Sequence, residues 1–266
     1  MIEVEVPDEP VRLPGPLRGA TLVPTSLGGA GVVLEAPPEP APVGMLILQG
    51  LETNRSGVNA VWTRTARALA AVGVASFRVD YPGIGDSAGI PGGRDSHPVV
   101  LAEVAAWFRA STGLERIGAI AACYGARLVL SLAATGELDG PVALVTPALG
   151  RPLSQHLVGR VRRRVRRPLG RSEPLDRTVA ADLVRVAERD AVTVLLGERD
   201  WQTAAALVAT RRHLRPRAVI REEVVPDERL HAFPTARGQH ETIVRLTRWA
   251  GSAILPAAAA EPRYGG

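Results

Sequence analysis

Apolar runs of strand length alternate along the chain with stretches whose apolar positions recur at helical spacing. Residues 45–48 are a short apolar run that stops at Gln49-Gly50, and 58–72 read as an amphipathic helix closed by Gly73. A strand is predicted at 74–79, followed by the Gly/Pro turn 80–87 and by apolar residues at helical spacing over 98–109. Another apolar run, 117–122, is separated from a helix over 126–134 by a sharp turn at Cys123. Strands are then expected at 141–149, 191–196 and 217–225, with helices at 202–213 and 239–253. Upstream, the β-like pieces 2–6, 20–24 and 31–35 alternate with Pro- and Gly-rich turns and read as an antiparallel edge with its hairpin connections.

Strands alternating with helices at this spacing predict an α/β fold, a mainly parallel sheet covered on both faces. At 266 residues the chain is long enough for one sizeable core, and a single domain over 1–254 is expected. Residues 150–190 break the alternation: they are charged and irregular, and read as an insertion that leaves the sheet. The Ala/Pro/Gly-rich tail, 255–266, is expected to be disordered.

Composition narrows the classes. The hydrophobic fraction of 46% is ordinary for a globular protein, and no apolar run approaches the ~20 residues of a membrane span. The first residues, Met1-Ile2-Glu3-Val4-Glu5, lack the basic start and apolar centre of a secretory signal. One cysteine cannot form an internal disulfide, so a reducing, cytoplasmic location is expected. All 32 basic residues are arginine, and the net charge of +5 is modest for the length. Nucleic-acid binding is not implied by that total. No metal cluster or nucleotide fingerprint is visible, and no cofactor is expected.

Candidate chemistry gathers where strands end. A lone cysteine is usually a small buried hydrophobe. Cys123 differs in its setting, at the top of a strand that turns straight into a helix, with small residues Ala121 and Gly125 on either side. Such a turn lifts a nucleophile above the sheet and aims the next N–H groups at the same point. Asp200 follows the strand 191–196 and His231 follows 217–225, so the chain order is nucleophile, acid, histidine. His231 could take the thiol proton and return it to a leaving group, while Asp200 holds the imidazole in the required tautomer. Glu198 lies in the same loop as Asp200, and His97, His156, His213 and His240 are the other histidines. Backbone N–H groups of Tyr124 and Leu51 are the candidates for stabilising an oxyanion. Gln49 and His97 are candidates for lining the pocket.

The stretch 44–245 resembles the α/β-hydrolase superfamily. The likeness rests on Gln49-Gly50-Leu51 with Asn54-Arg55-Ser56-Gly57, on Asp80-Tyr81-Pro82-Gly83-Ile84-Gly85-Asp86-Ser87, on the elbow at Cys123, and on the loops ending at Asp200 and His231. It implies an α/β-hydrolase fold with a short basic lid insertion, and a Cys123–His231–Asp200 triad. Two departures stand out. Gln49 occupies a position where the family often has histidine. Cys123 replaces the usual serine, as in dienelactone hydrolases and some acyl-transferring or cyclising members of natural-product pathways. The resemblance therefore implies an ester or thioester hydrolase, or an acyltransferase, working through an acyl-enzyme.

The insertion carries the most basic run of the chain, residues 160–167. Arg162, Arg163 and Arg166 there could bind a phosphate of coenzyme A or dock an acidic carrier protein, or form a solvated lid surface. No nucleic-acid or membrane partner is expected. Two other functions stay open on the residues: a lyase or cyclase with His231 as the base, and a non-catalytic binding module.

Overall fold

The computed structural model describes residues 11–12, 20–51, 53–89, 94–150, 175–231 and 233–255. Their strands are β1 (Val11–Arg12), β2 (Ala20–Thr25), β3 (Gly28–Glu35), β4 (Val43–Leu48), β5 (Ser76–Val79), β6 (Arg116–Ala122), β7 (Val142–Val145), β8 (Val192–Gly197) and β9 (Ile220–Val225). The helices are α1 (Val61–Ala71), α2 (His97–Thr112), α3 (Tyr124–Thr135), α4 (Arg177–Arg189), α5 (Trp201–Arg211) and α6 (Ala236–Ile254).

One sheet runs in the order β1-β2-β3-β5-β4-β6-β7-β8-β9. The pairs β1–β2, β2–β3 and β3–β5 are antiparallel, and the pairs from β5 through β9 are parallel. Successive side chains of a strand point to opposite faces. In β4, Met45 and Ile47 join a core with Val61, Trp62 and Leu69 of α1 and with Leu246 and Ala250 of α6. Leu46 and Leu48 join the opposite core, with residues of α2, α3, α4 and α5. Burial on both faces explains why the central strands read as unbroken apolar runs. The architecture is the α/β, doubly covered sheet that the hydrophobic pattern predicts.

The differences lie in the connections. The segment read as irregular over 150–190 contains α4, which packs Val179, Ala180, Leu183, Val186 and Ala187 into the core. Asp176 caps it, accepting the Thr178 N–H. The apolar spacing is helical, but its arginines and acids masked the pattern. The strand expected over 141–149 stops at Val145, because Thr146 adopts φ 43° and turns the chain. Helix α1 starts late: Asn59 and Ala60 are left-handed, so Val58–Ala60 form a separate turn.

Residues 150 and 175 are held side by side. Gly150 and Leu175 form an antiparallel bridge, and the Asp176 N–H donates to the Leu149 carbonyl at 2.9 Å. Arg127 of α3 spans the two segments, donating to the carbonyls of Ala148 and Gly150 and to the Asp176 carboxylate. Arg162, Arg163 and Arg166 lie outside the described residues. So do 256–266, most of the tail.

Candidate active site

Strand β6 rises through the middle of the sheet and ends at Cys123, whose backbone has φ 48° and ψ −112°. A side chain other than glycine's in that region costs of order 1–3 kcal/mol, so the surroundings must hold it there. They do so from both sides. The Cys123 N–H donates to the Val145 carbonyl at 3.2 Å, and its own carbonyl accepts the Ala148 N–H at 3.1 Å. Helix α3 begins at the next residue and lies hard against β4. A methyl group added at Gly125 would come within 2.6 Å of the Gln49 carbonyl oxygen and 2.9 Å of the Leu48 Cβ. The flanking glycine is therefore required by packing, and Cys123 is left half-buried at the sheet's edge.

The end of β4 adjoins the elbow. A Cβ placed on Gly50 would stand 3.9 Å from the Cys123 Cβ. The Gly50 carbonyl is turned into its own loop, where it accepts from the Thr53 hydroxyl at 3.2 Å and its N–H at 3.4 Å. Across a trans peptide the N–H points the opposite way, so the Leu51 N–H faces out of the loop. It has no acceptor among the described hydrogen bonds. The first N–H groups of α3, starting at Tyr124, lie beyond the reach of intrahelical acceptors. The two amides expected to hold an oxyanion thus sit on the two segments that meet at Cys123.

Beneath the site is an aromatic and polar layer that sequence reasoning did not resolve. Tyr81 is fully buried and donates its hydroxyl to the Gln49 carbonyl at 2.6 Å. His97, also buried, stacks on Tyr81 at a ring separation of 5.0 Å, and its Nδ1 lies 3.3 Å from the Tyr124 hydroxyl. Burial, then the neighbouring Tyr124 and Cys123, push the Tyr81 phenol well above its ordinary pKa, so it remains a donor. The Gln49 side chain is buried as well and donates to the Val79 carbonyl at 3.0 Å, while its Oε1 has no partner among the described residues. Gln49 and His97 back the site from the interior.

Asp200 and His231 are brought together through the main chain. The buried Asp200 carboxylate accepts the N–H groups of Gly197 at 2.9 Å and Leu230 at 2.8 Å on Oδ2, and that of His231 at 3.3 Å on Oδ1. It therefore ties the acid loop to the histidine loop. The His231 residue is exposed, and the described hydrogen bonds do not join its ring to Asp200 or Cys123. Glu198, the other acid of this loop, accepts the Asp227 N–H at 2.9 Å.

A buried charge cluster ties the loop after β4 to the turn after β5. The Arg55 guanidinium contacts Asp80 through Nη1 and Asp86 through Nη2, and the Arg55 N–H donates to Asp80 at 2.7 Å. Both motifs are visible in the sequence. Their pairing is not, because 25 residues separate Arg55 from Asp80.

A groove of about 1290 Å³ lies elsewhere, between α4 and the end of α5, lined by Leu175, Arg177, Arg185, Arg212, His213 and Arg215 among others. Cys123, Asp200 and His231 are not among its walls, and the candidate site rests on the elbow geometry. Among the described residues no cluster of three His, Cys, Asp or Glu side chains could hold a metal ion. No described helix is long and apolar enough to cross a membrane.

No protein-family model and no curated protein matches the chain by sequence. Solved structures match it in fold. A lidless α/β serine hydrolase from Xanthomonas campestris superposes with a TM-score of 0.65 at 20% identity, covering 94% of this chain and 98% of that one. Dienelactone hydrolase from Anabaena variabilis gives 0.63 at 15% identity over 88% and 98% of the two chains. The esterase Est1E from Butyrivibrio proteoclasticus gives 0.64 at 15% identity over 85% and 95%. At these identities the likeness establishes the fold. This chain has the α/β-hydrolase fold, with cysteine at the elbow.

Proposed function

We propose that this protein is a hydrolase or acyltransferase that passes acyl groups from an ester or thioester through a thioester on Cys123. The observation that carries the reading is the placement of Cys123. A strained, half-buried thiol stands at the strand–helix turn, between the Gly50-Leu51 peptide and the first N–H groups of α3. The esterase and dienelactone hydrolase among the structural neighbours favour an ester carbonyl as the target.

In the proposed reaction His231 takes the Cys123 proton and the thiolate attacks the acyl carbon. The carbonyl electrons move onto oxygen, which the Leu51 and Tyr124 N–H groups receive. The oxyanion collapses, the bond to the leaving group breaks, and His231 returns its proton to that group. Water or another acceptor, deprotonated by His231, then attacks the thioester and frees Cys123. Asp200 orients the histidine. Its Oδ1, which takes a single N–H contact at 3.3 Å, retains capacity for the imidazole N–H once the ring turns inward. A thioester passes its acyl group readily to amines and alcohols, so transfer or cyclising release in natural-product biosynthesis belongs to the proposal. Coenzyme A or a carrier protein would present such substrates, with Arg162, Arg163 and Arg166 as the contacts.

The test uses the single cysteine as its own reporter. Alkylation rates of Cys123 are measured against pH, with intact mass, in wild type and in His231→Ala. A thiolate paired with imidazolium reacts well below the pH of ~8.5 that a free cysteine needs, and loses that reactivity without the histidine. Ordinary, histidine-independent labelling together with no acyl adduct from activated esters or thioesters would sink the reading.

A further inference from the structure

We propose that Arg55 is a positioning residue for the oxyanion site, holding the loop that carries the Leu51 N–H in its working shape. The proposal rests on the acyl-enzyme reading and adds to it a component outside the triad.

The argument starts from burial. Arg55 and Asp80 are almost wholly buried, so neither charge could stay there unpartnered. Asp80 tops β5, and its carboxylate accepts three N–H donors: the Arg55 backbone N–H, the Arg55 guanidinium, and the Asp86 N–H at 3.2 Å. The guanidinium then reaches Asp86, whose side chain is 49% exposed, through its other terminal nitrogen at 2.5 Å. The fork geometry of arginine lets one side chain hold two carboxylates at once. The surroundings are built to this shape. Gly85 has φ +58°, and a Cβ on it would lie 2.1 Å from Asp80 Oδ2. A Cβ on Gly31 would lie 2.9 Å from the Asp86 Cβ and 3.0 Å from Arg55 Nη1. The turn itself is fastened to β3: the Ser87 hydroxyl accepts the Gly31 N–H at 2.8 Å and donates to the Asp80 carbonyl at 2.7 Å.

The clamp therefore joins a fixed turn to a loop whose other described hydrogen bonds run within the loop or to the start of α1. Arg55 lies just beyond Thr53, whose two contacts turn the Gly50 carbonyl inward and so turn the Leu51 N–H outward. Releasing Arg55 frees that segment and misplaces the N–H. The cost falls on any step that builds negative charge on the acyl oxygen. It does not fall on steps that need only the thiolate.

That asymmetry gives the test. Acyl transfer to Cys123 passes through an oxyanion, whereas alkylation by iodoacetamide does not. Arg55→Lys, Arg55→Met and Asp86→Asn are compared with wild type for p-nitrophenyl butyrate turnover, iodoacetamide labelling and melting temperature. Expected are a kcat reduced about 10²-fold or more in Arg55→Met, in the range for loss of one oxyanion donor. KM should stay within about threefold and the labelling rate within about twofold. Arg55→Lys, which can hold one carboxylate but not bridge two, should recover part of kcat. Arg55→Met leaves Asp80 buried without its partner and is at risk of unfolding. Asp86→Asn, at the half-exposed end of the clamp, then decides with a smaller loss of kcat at unchanged labelling. Folded variants with wild-type kcat, or with kcat and labelling falling together, overturn the proposal. Failure of the wild type to form a butyryl adduct on Cys123 overturns the acyl-enzyme reading, and this proposal with it.

Discussion

The two sides of the site are built differently. On the side of the proposed nucleophile, Cys123 is held by strand β6, helix α3 and the loop after β4, and Tyr81, His97, Gln49, Arg55 and Asp80, from the segments after β4 and β5, are buried. Its polar groups are tied down by short contacts, such as Tyr81 to the Gln49 carbonyl at 2.6 Å. On the acid–histidine side, Asp200 is buried but His231 is exposed, and the adjoining Trp201 and Val224 are 48% and 46% exposed. Here β9 is the last strand of the sheet among the described residues. The difference teaches that the segment carrying Cys123 is fixed by packing, while the residue proposed to transfer the proton is carried on the periphery. Central strands leave no room for adjustment. A loop at the edge does.

The largest expected effects fall on chemistry. Cys123→Ala and His231→Ala should each lower kcat for activated esters by about 10⁴–10⁶-fold. The comparison predicts opposite behaviour in stability. His231→Ala removes an exposed ring and should leave unfolding free energy within about 0.5 kcal/mol of wild type in denaturant titration. Gly125→Ala forces a methyl group against the Gln49 carbonyl and Leu48, and should cost about 1–3 kcal/mol. If His231→Ala destabilises the fold as much as Gly125→Ala, the contrast between the two sides is wrong.

Asp200→Ala probes the link across the periphery. It strips an acceptor from the buried N–H groups of Gly197 and Leu230, at about 1–3 kcal/mol for each group left without a partner. A thermal melt should show the loss as a shift of about 2–4 °C per kcal/mol. The kcat of Asp200→Ala should fall as well, because the histidine loop loses its tether.

The smallest effect is a pH dependence on the braced side. The Tyr81 phenol is raised by burial, so the folded protein keeps a proton that the unfolded chain releases near its ordinary value of ~10. The folded state then binds more protons, and stability is present in full below pH ~10 and lost as pH rises above it. Tyr81→Phe should remove that alkaline loss while lowering stability near neutrality by about 1–3 kcal/mol, since the Gln49 carbonyl loses its donor. Melting temperatures at neutral and alkaline pH, compared between wild type and Tyr81→Phe, check both signs.

Much of this was legible in local pattern. Runs such as 45–48 and 117–122, buried on both faces, announce central strands, and Cys123 between a strand and a helix announces the elbow. Helix α4 was missed although its apolar positions have helical spacing, because Arg177, Arg185 and Arg189 made it read with the basic run before it. The end of β7 and the start of β9 differ from the expectation because apolar residues extend beyond the ladder, Ala148 and Leu149 after β7 and Ala218 and Val219 before β9.

Local periodicity and turn chemistry were therefore enough for the α/β class, most of the order of elements and the loops that carry Cys123, Asp200 and His231. These depend on neighbours within a few residues of one another. Partnerships depended on the assembled sheet. Only the tertiary structure paired Arg55 with Asp80 and Asp86, set Tyr81 under Gln49, and turned the Asp200 carboxylate onto the backbone of the histidine loop. Each of these contacts joins the ends of different strands, and their meeting is decided by the order in which the strands lie side by side.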